Sequence, residues 1–206
     1  MYKLIIVLIF TAVHLFAYSQ ESESTLRERK VSRPEYVWAF THLRIAKKAY
    51  RLTQEARVVA NDMKTSTALD GDANGGQVDA FRHTFWMAYL SQTIKTKKVL
   101  RLGQAHEKGN RLAFKRGRYT NEFLPDLPSC KMDLWNNKIG VHIGTKNRSL
   151  TPEGLTELIL AAMERGELRI IKKDEKGNYL DENNHIIPPS EWQDKWDNAK
   201  VVIPSD

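Results

Sequence analysis

The chain has 206 residues, enough for one core and too few to require two domains. Its +7 net charge is spread over scattered Lys and Arg with acids interleaved, which argues for a solvated basic surface and against a nucleic-acid partner. A single cysteine, Cys130, excludes an intramolecular disulfide and any multi-cysteine metal site.

Residues 1–19 read as a secretory signal peptide. Lys3 supplies the positive start, "LIIVLIFTAVHLF" the apolar run, and Ala17 and Ser19 the small residues before a cleavage point at Gln20. The run is short for a membrane span, and no span is expected in the mature chain. Loss of Lys3 leaves a net charge of about +6. Such a surface favours contact with anionic envelope polymers or lipid headgroups. Residues 20–31 are charged and without period, a flexible leading segment ahead of one domain over 32–206.

The first helix is expected from Ser32 to about Asn61. Ser32 and Glu35 have capping-box spacing, Pro34 stands in the first turn, and Val37, Phe40, Leu43, Ala46 and Tyr50 recur at helical intervals. "STALDGDANGG" is a loop by composition. A second helix over about 77–95, "QVDAFRHTFWMAYL", is apolar on nearly every side and so belongs in the middle of the fold. It nevertheless carries Asp79, Arg82 and His83. Asp79 and His83 are spaced i,i+4, so the carboxylate can fix the imidazole's tautomer, and Arg82 can stack on Trp86.

A third helix over 97–115 carries "LGQAHEKGN". His106 shares an apolar face with Val99, Leu102, Gly103, Gly109 and Ala113, with Glu107 about 100° around, toward its edge. Two glycines cost a helix up to about 1 kcal/mol each, which either close packing or room for a ligand would explain. A fourth helix, roughly 130–144 and capped by Ser129, holds Asp133, Asn136, Asn137, Gly140 and Gly144 on one face and Met132, Trp135, Ile139 and Ile143 on the other. A fifth starts at Thr151–Pro152 and stops at Gly166. Beyond it, 167–188 reads as a small β-hairpin turning at "EKGN". The expected fold is therefore mainly α: a single domain of about five helices with a small hairpin near the C-terminus.

"DAFRHTFWMAYL", "AHEKGN" and "MDLWNNKIGVHIG" in that order resemble an uncharacterised bacterial domain family with arginine–histidine, histidine–glutamate and aspartate–asparagine–asparagine motifs. Its members occur in secreted proteins and in toxin-like repeat proteins. The resemblance spans roughly residues 70–145 and implies a site without naming its reaction.

Brought together, the three islands would form one polar site. His83, His106, Glu107 and Asp133 are the candidate catalytic groups, as acids and bases near neutral pH. Asp79, Arg82, Trp86, Asn136 and Asn137 are candidate binding and orienting groups. The set His83, His106, Glu107 and Asp133 would also suit Zn²⁺, Mn²⁺ or Fe²⁺, with metal-bound water as nucleophile. No serine or cysteine stands inside the islands, which argues against a covalent triad. Two functions follow as expectations: an exported hydrolase acting on envelope material or phospholipid, or a non-enzymatic binding or structural module built on a buried polar network. Bond type and oligomeric state are left open by the sequence.

Overall fold

The computed structural model describes residues 31–119 and 124–206. The expected signal peptide and nearly all of the expected leading segment lie outside the described residues. Seven helices and two short strands follow in order among the described residues: α1 (Arg33–Thr41), α2 (Leu43–Lys64), α3 (Gln77–Ser91), α4 (Thr96–Lys115), α5 (Leu127–Lys146), α6 (Pro152–Glu164), β1 (Arg169–Ile171), α7 (Pro189–Trp192) and β2 (Val202–Pro204). The fold is mainly α, as the periodicity predicts. None of these helices is long and apolar enough to cross a membrane.

α3 is the central helix. Phe81, Phe85, Met87, Ala88 and Leu90 are wholly buried on it, each large side chain worth roughly 1.5–3 kcal/mol of burial. One side meets Ala56 of α2 and Leu155, Ile159 and Ala162 of α6. The other meets Trp38, Leu52, Val99 and Leu102. Against α5 the approach is at backbone distance. A Cβ added at Gly140 would stand 2.1 Å from the Thr84 carbonyl, and one at Gly144 2.0 Å from that of Ala88. The small-and-polar face of α5 is thus its buried face, whereas Trp135 of the apolar stripe is exposed.

The expected first helix is two. It breaks at His42, whose backbone leaves the helical region (φ −129°, ψ 39°). Thr41 Oγ1 donates to the carbonyls of Val37 and Trp38, and His42 Nδ1 lies 2.8 Å from the same Trp38 carbonyl. Side chains that bind backbone groups compete with the helix ladder, and neighbouring ones can end it. The His42 ring stacks on Trp38 at 4.8 Å, which holds the turn.

α5 begins earlier than expected, because Asp126 and not Ser129 is its cap: Ser129 N donates to Asp126 Oδ1 at 2.8 Å. The expected turn exists, with Lys176 N and Asn178 N donating to Asp174 Oδ1 and Gly177 at φ +82°. Around it, however, residues 173–186 form only isolated bridges, Lys173 with Tyr179 and Leu180 with Ile186. The antiparallel partner of β1 is β2, with Ile170 opposite Ile203. A buried ion pair fixes this C-terminal part. Lys200 Nζ lies 2.8 Å from Asp126 Oδ2, over the rings of Tyr179 and Trp192. Burial lowers the Lys200 pKa, and Asp126 opposes that shift.

Candidate functional site

The loop before α3 sets the site's first wall. Asp72 N and Asn74 N bind the side chains of Asp70 and Asp72, and Gln77 N binds Asp70 Oδ2, which folds "DGDANGG" onto the helix start. Lys173 pairs with Asp72, so this loop has its own counterion. Gly75, at φ +94°, donates its N–H to Asp79 Oδ2 at 2.8 Å. Asp79 Oδ1 takes the Arg82 guanidinium at 2.5 Å, and Arg82 also reaches the Ala73 carbonyl. Arg82 therefore turns toward the loop. Trp86, expected beneath it, donates its N–H to Thr53 Oγ1 and sets its ring edge-on to His106 at 5.2 Å.

His83 is buried between α3 and α5. Its Nε2 lies 3.5 Å from Asp133 Oδ1 and 3.7 Å from Asp79 Oδ1, ion-pair distances longer than a hydrogen bond. Its Nδ1 lies 3.3 Å from Asn137 Oδ1. The other Asn137 amide atom, Nδ2, is buried without a hydrogen-bond partner among the described residues. A Cβ at Gly103 would stand 2.9 Å from that nitrogen and 3.3 Å from Met87 Sδ, so this glycine of α4 serves close packing.

α4 brings His106 and Glu107. The His83 and His106 rings are 5.7 Å apart, nearly perpendicular. A nitrogen of each imidazole and an oxygen of Glu107 all lie within 4.8 Å of one another. The burial of the pair reverses the expectation: Glu107 is inside, 5% exposed, and His106 stands at the edge. Glu107 Oε2 accepts from Asn110 Nδ2, while Oε1 is buried and accepts no N–H or O–H from the described residues; the Cys130 thiol hydrogen-bonds to this carboxylate. Beside them, burial first, and then the negative charge of Glu107, push the Cys130 thiol well above its ordinary range. That cysteine is an inert, protonated core residue.

One member escapes the three islands. Glu35 of α1 places Oε1 at 2.9 Å from His106 Nδ1, while its Oε2 accepts the Ser32 N–H at 2.7 Å. Burial would raise this carboxyl, but the hydrogen bond and charge of His106 outweigh it and, with Ser32, hold the pKa down at about 2. The only sequence signal for Glu35 is its capping-box spacing, which says nothing of the second contact.

The three islands thus meet in space, with one exception. Asn136 faces β1, where its amide donates to the Arg169 carbonyl and accepts the Arg169 N–H at 2.8 and 2.9 Å. It clamps a strand and is not part of the cluster. The remaining groups are closed in: Asp79, His83, Glu107, Asp133 and Asn137 are all buried, and only Arg82, Trp86, His106 and Glu35 reach the surface. A separate cleft, lined by Pro128, Lys131, Asp181 and Val202 among others, shares no residue with the cluster.

These features define a small helical domain built around a buried histidine–carboxylate cluster. The chain belongs to the family whose model, a domain of unknown function (DUF6973), matches residues 36–167. That match runs wider than the 70–145 resemblance, and Glu35 stands one residue ahead of it. No curated protein and no solved structure matches the chain.

Proposed function

We propose that this protein is an exported hydrolase that uses the histidine–carboxylate cluster to activate water against a phospholipid or related anionic envelope substrate. The observation that carries this reading is the Glu35–His106 pair at 2.9 Å, beside a buried Glu107 oxygen that accepts no N–H or O–H from the described residues. A carboxylate held against Nδ1 favours the tautomer with its proton there and orients the His106 ring. Such an imidazole takes a proton from water, and Glu107 is placed to exchange the second proton as acid or base. The amide of Asn137 and the guanidinium of Arg82 supply fixed positive dipole and charge where negative charge develops. The walls are of low dielectric, which strengthens each of these interactions.

The substrate class is supported by the outer face of the helix that carries Glu35. Tyr36, Val37 and Phe40 are exposed there, and Leu43 is exposed at the start of α2. Arg33, Arg44, Lys47 and Lys48 are exposed on the same stretch. Apolar side chains interleaved with cations fit an anionic lipid surface better than a soluble polymer. Export rests on the signal-peptide layout of residues 1–19. The test is release of fatty acid or phosphate headgroup from anionic vesicles by the wild-type chain and by His106→Ala, with cell-wall polymer as the comparison substrate. Wild-type release that falls at least about 100-fold in the variant is expected. Release by neither, or equal release by both, removes the reading.

A second reading is favoured by the closure of the cluster: His83 is 4% and Asp133 6% exposed. A satisfied polar network of that kind can fix the order of three helices without catalysis. In that case His83→Ala and His106→Ala both lower the melting point, His83→Ala by the equivalent of about 3–5 kcal/mol, because the buried Asp79 and Asp133 carboxylates lose the imidazole between them. A catalytic cluster instead leaves the melting point unchanged or raises it.

A further inference from the structure

We propose that the cluster is a metal site, one divalent transition-metal ion of the zinc type held by His83, His106 and Glu107, with Glu35 orienting His106. The inference shares its site with the hydrolase reading but stands or falls on binding alone.

Geometry selects the three ligands. Atoms bound to one ion at about 2.0–2.2 Å stand up to about 4.2 Å apart, so donors already within 4.8 Å of one another close on a cation with small side-chain rotations. Two imidazoles and a carboxylate form a donor set suited to zinc or ferrous iron, and poorly suited to calcium or magnesium. Glu107 supplies the independent sign of a missing partner. Glu107 is only 5% exposed, and its Oε1 accepts no N–H or O–H from the described residues; the donor beside this carboxylate is the weak Cys130 thiol. A buried carboxylate oxygen without a strong donor is costly unless something positive meets it.

Glu35 completes the pattern expected of a bound histidine. Metal-ligating imidazoles give their second N–H to a carboxylate, which fixes the ring and raises its basicity. His106 places Nδ1 at 2.9 Å from the Glu35 carboxylate in this way. Charge points the same way. Among the described residues, the cluster's Glu35, Asp79 and Glu107 carboxylates face one guanidinium, that of Arg82. A divalent ion would reduce that excess without requiring either imidazole to be protonated.

A second trio, Asp79, His83 and Asp133, is equally close. It is the weaker candidate, because Asp79 has already committed both oxygens, one to the Gly75 N–H and one to Arg82. The guanidinium would also repel a cation placed there. These two carboxylates serve to orient the His83 ring.

The experiment uses the full chain stripped with a chelator and then titrated with Zn²⁺ alone, read by calorimetry and native mass, and with Co²⁺, read by its visible absorption. One equivalent of Zn²⁺ and a Co²⁺ band are expected in the wild type, both lost in His106→Ala and in Glu107→Gln. Glu35→Gln replaces no proposed ligand and keeps an acceptor for the Ser32 N–H, so a 10- to 100-fold loss of affinity there tests the site even where a ligand variant fails to fold. No uptake by the folded wild type overturns the proposal, as does uptake unchanged in all three variants. Uptake that survives Glu107→Gln and is lost in Asp79→Asn would place the ion on the other side of His83 and overturn this ligand set. Uptake without vesicle hydrolysis keeps the metal site and removes the hydrolase. Hydrolysis by a chain that takes up no metal does the reverse.

Discussion

Glu35→Gln isolates one interaction on which both the fold and the site depend. Gln retains an acceptor oxygen for the Ser32 N–H, so the cap survives and what is lost is the negative charge facing His106. The carboxyl is held at about 2 in the folded protein against an ordinary value of 4.5. A pKa unit corresponds to about 1.4 kcal/mol, so the shift represents about 3 kcal/mol of stability at neutral pH. The side chain is 16% exposed, so little of this is lost to solvent screening. The sign follows from linkage. A depressed carboxyl stabilises the fold fully above its unfolded pKa, and that stability disappears as pH falls from about 4.5 to about 2. For a domain of this size the variant should melt about 6–12 °C below wild type at pH 6, with the gap closing toward pH 2. Parallel thermal or urea melts at pH 6, 4.5, 3 and 2 measure it. A gap that stays constant across that range would show that the Glu35 charge is not coupled to folding and would refute the ion pair.

Two further substitutions test the frame around the cluster. Gly144→Ala places a methyl 2.0 Å from the Ala88 carbonyl and 2.4 Å from Ser91 Oγ, so α3 and α5 must part. A loss of more than about 3 kcal/mol in denaturant unfolding is expected, and a near-neutral result would contradict the close approach. Asn136→Ala removes two hydrogen bonds to Arg169 of β1, with an expected cost of about 1–3 kcal/mol. Vesicle hydrolysis and Zn²⁺ uptake should remain within a few-fold of wild type once folding is corrected for; their abolition would return Asn136 to the site.

Much of the fold was legible because the signals were local. α3 is apolar all round, and only a helix covered on every side can be so. The glycines of α4 called for either close packing or room for a ligand, and at Gly103 the Asn137 amide and Met87 decide for packing. What stayed hidden depended on distant partners. The 33–64 stretch keeps helical spacing across His42, and the break comes from two side chains bonding to carbonyls of the turn before it. β2 lies thirty residues beyond β1, and no turn signal joins them. Lys200 reads as one more surface lysine until Asp126 and two aromatic rings are placed around it.

The site divides along the same line. His83, His106, Glu107, Asp133 and Asn137 could be found because each is an ionisable or amide group on a helix face otherwise made of apolar or small residues, and buried polar groups need partners. Helical periodicity assigns a residue to a face of its own helix and is silent on which neighbour that face meets. For that reason Asn136 and Asn137, adjacent and chemically identical, could not be separated: a rotation of about 100° sends one to β1 and the other to His83. For the same reason Glu35 was legible as a cap and illegible as a partner of His106. Its two oxygens do different jobs, one closing the first turn of α1 and one reaching α4. The break at His42 makes this arrangement available. It frees α1 to lie across α4 on its own axis, with Trp38 donating to the Lys98 carbonyl at 3.0 Å and Glu35 reaching His106. A helix running unbroken from Ser32 would have to follow α2 along α3. The short first helix is thus the element that brings a fourth carboxylate to the cluster.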